Sequence, residues 1–235
     1  MATKKTDNQV AISIEPLKLQ KARITLVGDT PLIVHAWSEK AKKEMLASQQ
    51  KKKVAKSAMA VRDPFAEFCN AAYWISHEPE EKTPETFEKA IADGAKFGFP
   101  VIAVKLAALS ACYRAGKIPN QMSMKCSFYL NAVNGATNGN SGAELAVIQT
   151  DKPPVFREDM VKIGGINKTS DLRYRPAFVD WKMDLIVTLI DNGTFTMESV
   201  INAINLGGAM GGIGEWRMER DGDFGRYHVE IPEVE

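Results

Sequence analysis

Apolar and polar residues alternate with a two-residue period in two stretches of this chain. In the longer one, Ala177, Val179, Trp181, Met183, Leu185, Val187 and Leu189 share one face, and Asp180, Lys182, Asp184 and Thr188 share the other. That pattern predicts a strand over Ala177–Ile190 with one side buried, and its length predicts a bend or bulge within it. The shorter stretch, Arg23–Gly28, alternates in the same way until Asp29-Thr30-Pro31 interrupts it, and Pro31–Val34 is expected to continue it beyond a bulge. Leu145–Ile148 and Val155–Lys162 read as further strands, and Tyr227, Val229 and Ile231 as the buried side of a last one.

Helical spacing fills the intervals. Pro100 stands at a favoured helix start, and Val101–Arg114 is apolar or small on almost every face, which predicts a buried helix. Val200, Ile201, Ile204 and Leu206 form one apolar stripe behind the turn Asp191-Asn192-Gly193, with Thr194 or Thr196 as the N-cap. Phe65–Ile75 and Phe87–Ala95 also read as helices, as does the lysine-rich Ser38–Ser57, whereas Asn131–Gly142 reads as a loop.

The order strand, helix, strands, long strand, helix, strand predicts an α+β fold: an antiparallel sheet of ferredoxin-like or RNA-recognition-motif type with helices on one face. Residues 11–235 are expected to form one domain, with a helical insertion at about 38–97 and a basic arm at about 155–176. Residues 1–10 are polar and basic, and are expected to be disordered.

Charge changes this picture. Thirty Lys and Arg against 29 Asp and Glu leave a net charge of +1 over 235 residues, so affinity for a polyanion has to come from local clustering. Three widely spaced cysteines, Cys69, Cys112 and Cys126, read as reduced thiols. The chain has neither a secretory pattern at its start nor a run of membrane-spanning length, so a cytoplasmic protein without membrane contact is expected.

Candidate chemistry gathers near the end. Gly207–Arg226 combines glycines with Trp216, Phe224, Arg217, Arg220 and Arg226 between an apolar helix and the terminal strand. Glycine lets another backbone approach and arginine supplies a fixed charge, a combination suited to a polyanion. The stretch lacks the Gly-Lys-Ser/Thr ending of a P-loop and follows a helix rather than a strand, so no nucleotide cofactor is expected. His35, His77 and His228 are scattered and no His or Cys pair has ligand spacing, so no metal is expected.

Three stretches resemble the RAMP superfamily, the RNA-binding subunits of CRISPR effector complexes, and within it the repeated backbone subunit. Asp29-Thr-Pro-Leu-Ile-Val34 looks like the family's opening strand, Phe99–Ala111 like its proline-led first helix, and Gly211-Gly-Ile-Gly214 through Phe224-Gly-Arg226 like its glycine-rich loop. Val101-Ile-Ala103 replaces the glycine and serines usual there, and Glu215 adds an acidic residue to the loop. The resemblance implies a ferredoxin-like fold, and it also fits a relative in a mobile element or virus.

The combined expectation is non-catalytic binding of single-stranded nucleic acid, RNA before DNA, by copies assembled side by side or within a ribonucleoprotein. Its backbone contacts would be Arg217, Arg220 and Arg226, with Trp216 or Phe224 for stacking and Gly211, Gly212 and Gly214 for close approach. Lys162, Lys168, Arg173 and Arg175 on the arm and Lys51, Lys52 and Lys53 on the lysine helix are the further candidates. Two alternatives stand beside it: a protein-docking module of the same fold, and a metal-independent endoribonuclease using Asp29 and His35.

Overall fold

β1 (Lys18–Gly28) and β10 (Lys182–Asp191) pair antiparallel along their whole length, from Lys18 opposite Asp191 to Val27 opposite Lys182. The computed structural model describes residues 16–37, 42, 45, 46, 49, 50, 62–137, 142–163 and 169–231. The elements between the two strands are β2 (Leu32–Ile33), α1 (Pro64–Asn70), β3 (Trp74–Ser76), α2 (Pro84–Ala92), β4 (Lys96–Pro100), α3 (Val101–Arg114), α4 (Met122–Lys125), β5 (Phe128–Ala132), β6 (Ala136–Thr137), β7 (Glu144–Val147), β8 (Val155–Ile163) and β9 (Thr169–Phe178). After β10 come α5 (Met197–Met210), a 3-10 turn at Met218–Arg220, and β11 (Tyr227–Glu230).

Among the described residues the strands form three antiparallel sheets, in the orders β11-β1-β10-β5, β2-β9-β8 and β3-β4-β7-β6. The inner face of the first carries Ile24, Leu26, Met183, Leu185, Val187, Leu189, Phe128 and Tyr227, all buried. Val104, Ala108, Leu109 and Cys112 of α3 and Val200, Ala203 and Ile204 of α5 complete that core from one side, so the fold is α+β. The alternation seen along the chain is the cause, because one face of each strand had to find apolar cover.

The two helices cross at close range. A Cβ on Gly207 would lie 2.7 Å from the backbone nitrogen of Ala108, and one on Gly208 would run into the carbonyl of Tyr227. Two adjacent glycines therefore let α5 touch both α3 and β11 through backbone.

The long alternating run is not one strand. It divides at Val179–Trp181, where Asp180 takes a φ of 50°: Ala177 and Phe178 end β9 in the second sheet, and Lys182 opens β10 in the first. Trp181 at the corner is fully buried, and its indole donates to Thr30 O at 2.9 Å. The core side changes parity at the corner, from Tyr174 and Phe178 before it to Trp181, Met183 and Leu185 after it, and Ala177 and Val179, apolar but outside the core cluster, kept the sequence pattern continuous across the break. Pro31–Val34 likewise leaves the first sheet and pairs with β9.

The stretch at 38–97 is not wholly helical. The helix expected over Phe65–Ile75 ends at Asn70 and gives way to β3, and β4 joins β3 to β7, tying this stretch to the main body. Asp63 caps α1, accepting from the amides of Phe65 and Ala66, with Pro64 next to it. Aromatic rings bind the layers: Trp74 to Phe97 at 4.6 Å between centroids, Phe97 to Phe178 at 5.4 Å, and Phe68 to Phe156 at 5.2 Å.

Three further expectations change and one gains a partner strand. Asn131–Gly142 is partly strand, since β5 reaches Ala132 and β6 pairs with β7. The strand expected at Val155–Lys162 is present as β8, and what the arm adds is its pairing with β9, from Val155 opposite Ala177 to Ile163 opposite Thr169. Ile231 lies past the end of β11 and is exposed, leaving Tyr227 as that strand's buried anchor. The helix α3 is buried on the sheet side only, and Ile102, Leu106 and Tyr113 stay about half exposed on the other.

Thr196 is the cap of α5, accepting from the amide of Ser199. All three cysteines are free, and burial pushes the Cys69 thiol up to about 11. Among the described residues no helix is long and apolar enough to cross a membrane, and no group of His, Cys, Asp and Glu is placed to hold a metal. Residues 1–10 and Lys51, Lys52 and Lys53 of the lysine-rich stretch lie outside the described residues, as does Lys168 on the arm.

Candidate nucleic-acid interface

The glycine loop is built by backbone bonds to the β1–β2 corner. Glu215 N donates to Ile33 O, Gly225 N to Pro31 O, Asp29 N to Arg226 O and Ile213 N to Gly225 O, each at 2.9 Å. Gly211 N and Gly212 N both return to Gly207 O at the end of α5. The Gly211 and Gly212 amides are thus committed within the protein, and a Cβ on Gly214 would lie 2.4 Å from Ile33 O, so all three glycines are used in chain packing. Gly212, Gly214 and Gly225 have φ of 69°, 81° and 66°, which only glycine adopts without strain.

The arginines are mostly paired. Arg217 donates to Gly214 O at 2.9 Å and to Glu219 at 3.3 Å, Arg226 lies 3.0 Å from Asp223, and Arg173 lies 3.0 Å from Asp171. Arg220 and Lys162 are exposed and have no side-chain partner among the described residues. Phe224 lies under the guanidinium of Arg157, whose Cζ is 4.5 Å from the ring centroid. Trp216 is half-buried with a φ of 50° and an indole nitrogen without a hydrogen-bond partner.

One face of the hairpin turns toward this loop. Arg175 is buried beside Asp159 and Glu215, with nitrogen-to-oxygen distances of 3.6 and 3.7 Å, and Arg157 Nε donates to Asp159 at 2.8 Å. Between the loop and α3 runs a groove of about 420 Å³. His35, Tyr73, Phe99, Leu106, Glu215 and Arg217 line it, with Ser110 and Glu219 at one end. Burial alone would raise the Glu219 carboxyl, but the hydrogen bond from Ser110 and the charges of Arg114 and Arg217 hold it below the usual carboxylate range.

His35 Nδ1 stands 3.8 Å from Glu215, and burial, reinforced by the charge of Arg175, pushes its imidazole below the ordinary 6.5 against the pull of Glu215. A depressed histidine means that the unfolded chain takes up the proton first on acidification. Its stabilising contribution is complete above about pH 6.5 and is lost as pH falls through the folded-state value. Thermal melts of wild type should therefore fall more steeply between pH 7 and 5 than those of His35→Gln; parallel slopes would show that His35 is not desolvated.

Asp29 and His35 are not partners of each other. Asp29 Oδ1 bonds His228 Nδ1 at 2.6 Å, on the other side of the loop's attachment. Tyr73, Phe99, Glu215 and Glu219 were not among the groove residues expected from sequence. Tyr73 lies in the expected helical insertion, Glu219 is inconspicuous among arginines, and Glu215 stands out in the sequence only as an acidic residue in a basic loop. No family model matches the chain, and no curated protein matches its sequence.

Proposed function

We propose that this protein binds single-stranded nucleic acid, RNA in preference to DNA, without cleaving it, in copies set side by side along the strand. One observation carries the reading: the three stretches that resemble the RAMP superfamily, far apart in sequence, meet in space. Asp29–Ile33 is bonded to Glu215, Gly225 and Arg226, and Phe99, Ala103 and Ala107 line the same groove as Gly212, Ile213, Gly214, Glu215 and Arg217. The series β1, α3, β5, β10, α5, β11 with spatial order β11-β1-β10-β5 supports a ferredoxin-like arrangement within the larger chain.

The strand is assigned to the loop and hairpin side. On the outer face of the central sheet, Arg23 and Thr25 are taken up by Asp184, at 2.8 and 2.7 Å, and neither β1 nor β10 contains an aromatic residue for stacking. Among the described candidate residues, Arg220 and Lys162 are free to meet phosphates, with Arg217, Arg226 and Arg173 available by exchange of carboxylate partners.

Anisotropy of labelled single-stranded RNA and DNA of equal length, over a potassium chloride series, tests this. Wild type should bind RNA more tightly, and Arg220→Ala/Lys162→Ala should weaken binding about tenfold. The double variant should also flatten the slope of log affinity against log salt by roughly 1.4, about 0.7 for each lost phosphate contact. Failure to bind either polymer would favour the second reading, a protein-docking module. The exposure of Ile102, Leu106, Tyr113 and Met122 is the observation on that side.

A further inference from the structure

We infer that Glu215 occupies the place of a ligand phosphate: the groove holds one nucleotide unit whose phosphodiester group displaces the Glu215 carboxylate from Arg175 and His35. The inference rests on the nucleic-acid reading above and names one position within it.

Arg175 is the unusual group. It is 5% exposed on the hairpin face turned to the loop, its Nε has no hydrogen-bond partner, and its terminal nitrogens stand 3.6 Å from Asp159 and 3.7 Å from Glu215, outside hydrogen-bond distance. A buried guanidinium ordinarily makes close, often bidentate bonds to its counter-ions. Asp159 is itself buried and is already engaged by Arg157, so it has little freedom to close the gap.

Glu215 differs. Its side chain is 41% exposed, it lines the groove, and its approaches to Arg175, at 3.7 Å, and to His35, at 3.8 Å, are both long. The loop fixes its backbone through the bond to Ile33 O, so the carboxylate can swing outward without disturbing the chain. Behind it remain a buried cation with unfilled donors and an imidazole, an anion site closed by a removable internal anion.

The rest of the groove suits the nucleoside. Tyr73, Phe99 and Leu106 offer apolar and aromatic surface, while Ser110, Gln121 and Arg217 place polar groups around it. A phosphodiester has the charge of the carboxylate it replaces and more acceptor oxygens. It therefore meets both Arg175 and His35 at shorter range than Glu215 does.

The test is E215Q, which keeps side-chain volume and the backbone bond while removing the charge. Binding of the labelled RNA used above should tighten about tenfold relative to wild type. The log affinity against log salt slope should steepen by roughly 0.7, one additional phosphate neutralised. Should E215Q melt early, E215D serves instead: it keeps the charge but is one methylene too short to cover Arg175, and it should tighten binding by a smaller factor. Wild-type binding that either folded variant leaves unchanged or weakens would overturn this inference and leave the nucleic-acid reading intact. Binding by E215Q alone would support it, with Glu215 closing the site in wild type. No binding by any of the three proteins would overturn both.

Discussion

Gly225→Ala is expected to lower the melting temperature by about 10 °C or more. Gly225 has a φ of 66°, and a Cβ there would fall within the carbonyl of Ile213. Its amide and carbonyl also make the bonds to Pro31 and Ile213 that seat the loop on the β1–β2 corner. Left-handed strain and a backbone clash each cost about 1–3 kcal/mol, and in a chain of this size each kcal/mol is worth roughly 2–4 °C. Gly94→Ala is the control: its φ is 84° but a Cβ there meets nothing within 4 Å, so only the strain term, about 1 kcal/mol, should appear. Equal melts for the two variants would mean that the glycine loop is not anchored as described.

Asp159→Ala is expected to cost about 3 kcal/mol or more in denaturant unfolding, with the slope unchanged and the midpoint shifted. Asp159 is 6% exposed and neutralises Arg175 from the protein side, while Arg157 holds it in place. Removing it leaves a buried guanidinium facing the distant, partly exposed Glu215 carboxylate, the costly way to break a buried pair. Removing both charges should recover most of the loss: Asp159→Leu/Arg175→Met should be markedly more stable than Asp159→Ala, since the hairpin face then packs as an apolar surface. Losses from Asp159→Leu and Arg175→Met that simply add would show that the two groups are not coupled. The same double variant should lose the response to E215Q, because no buried cation remains for a phosphate to reach.

Much of the scaffold was legible along the chain because its causes are local. The proline before Val101, the stripe at Val200–Leu206 with its threonine cap, and the alternation about Met183–Leu189 each follow from a period or a capping side chain within a few residues. The strands at Trp74–Ser76 and Lys96–Pro100 were not legible. Each is five residues or fewer, lies against helical sequence, and depends on pairing with the other and with Glu144–Val147 far along the chain. The half-exposed face of α3 was also hidden, since an apolar residue does not report which side of a helix the sheet will cover.

The candidate site divides along the same line. Sequence alone established that glycines, arginines and aromatics crowd the segment before the last strand, and that net charge leaves no general attraction for polyanions. It also established the parity of β10 and of the Ile24–Leu26 part of β1, since alternation requires only that one face be dry. Tertiary structure decided the rest: that the alternating run turns a corner at Asp180 into two sheets, that loop amides are bonded to α5, to one another and to the β1–β2 corner, and that most arginines stand beside carboxylates. It also brought Glu215 to Arg175 and His35, groups separated by tens of residues or more. Charge at a residue is a property of its side chain, but whether that charge is free is a property of its neighbours, and in this protein the neighbours come from distant strands.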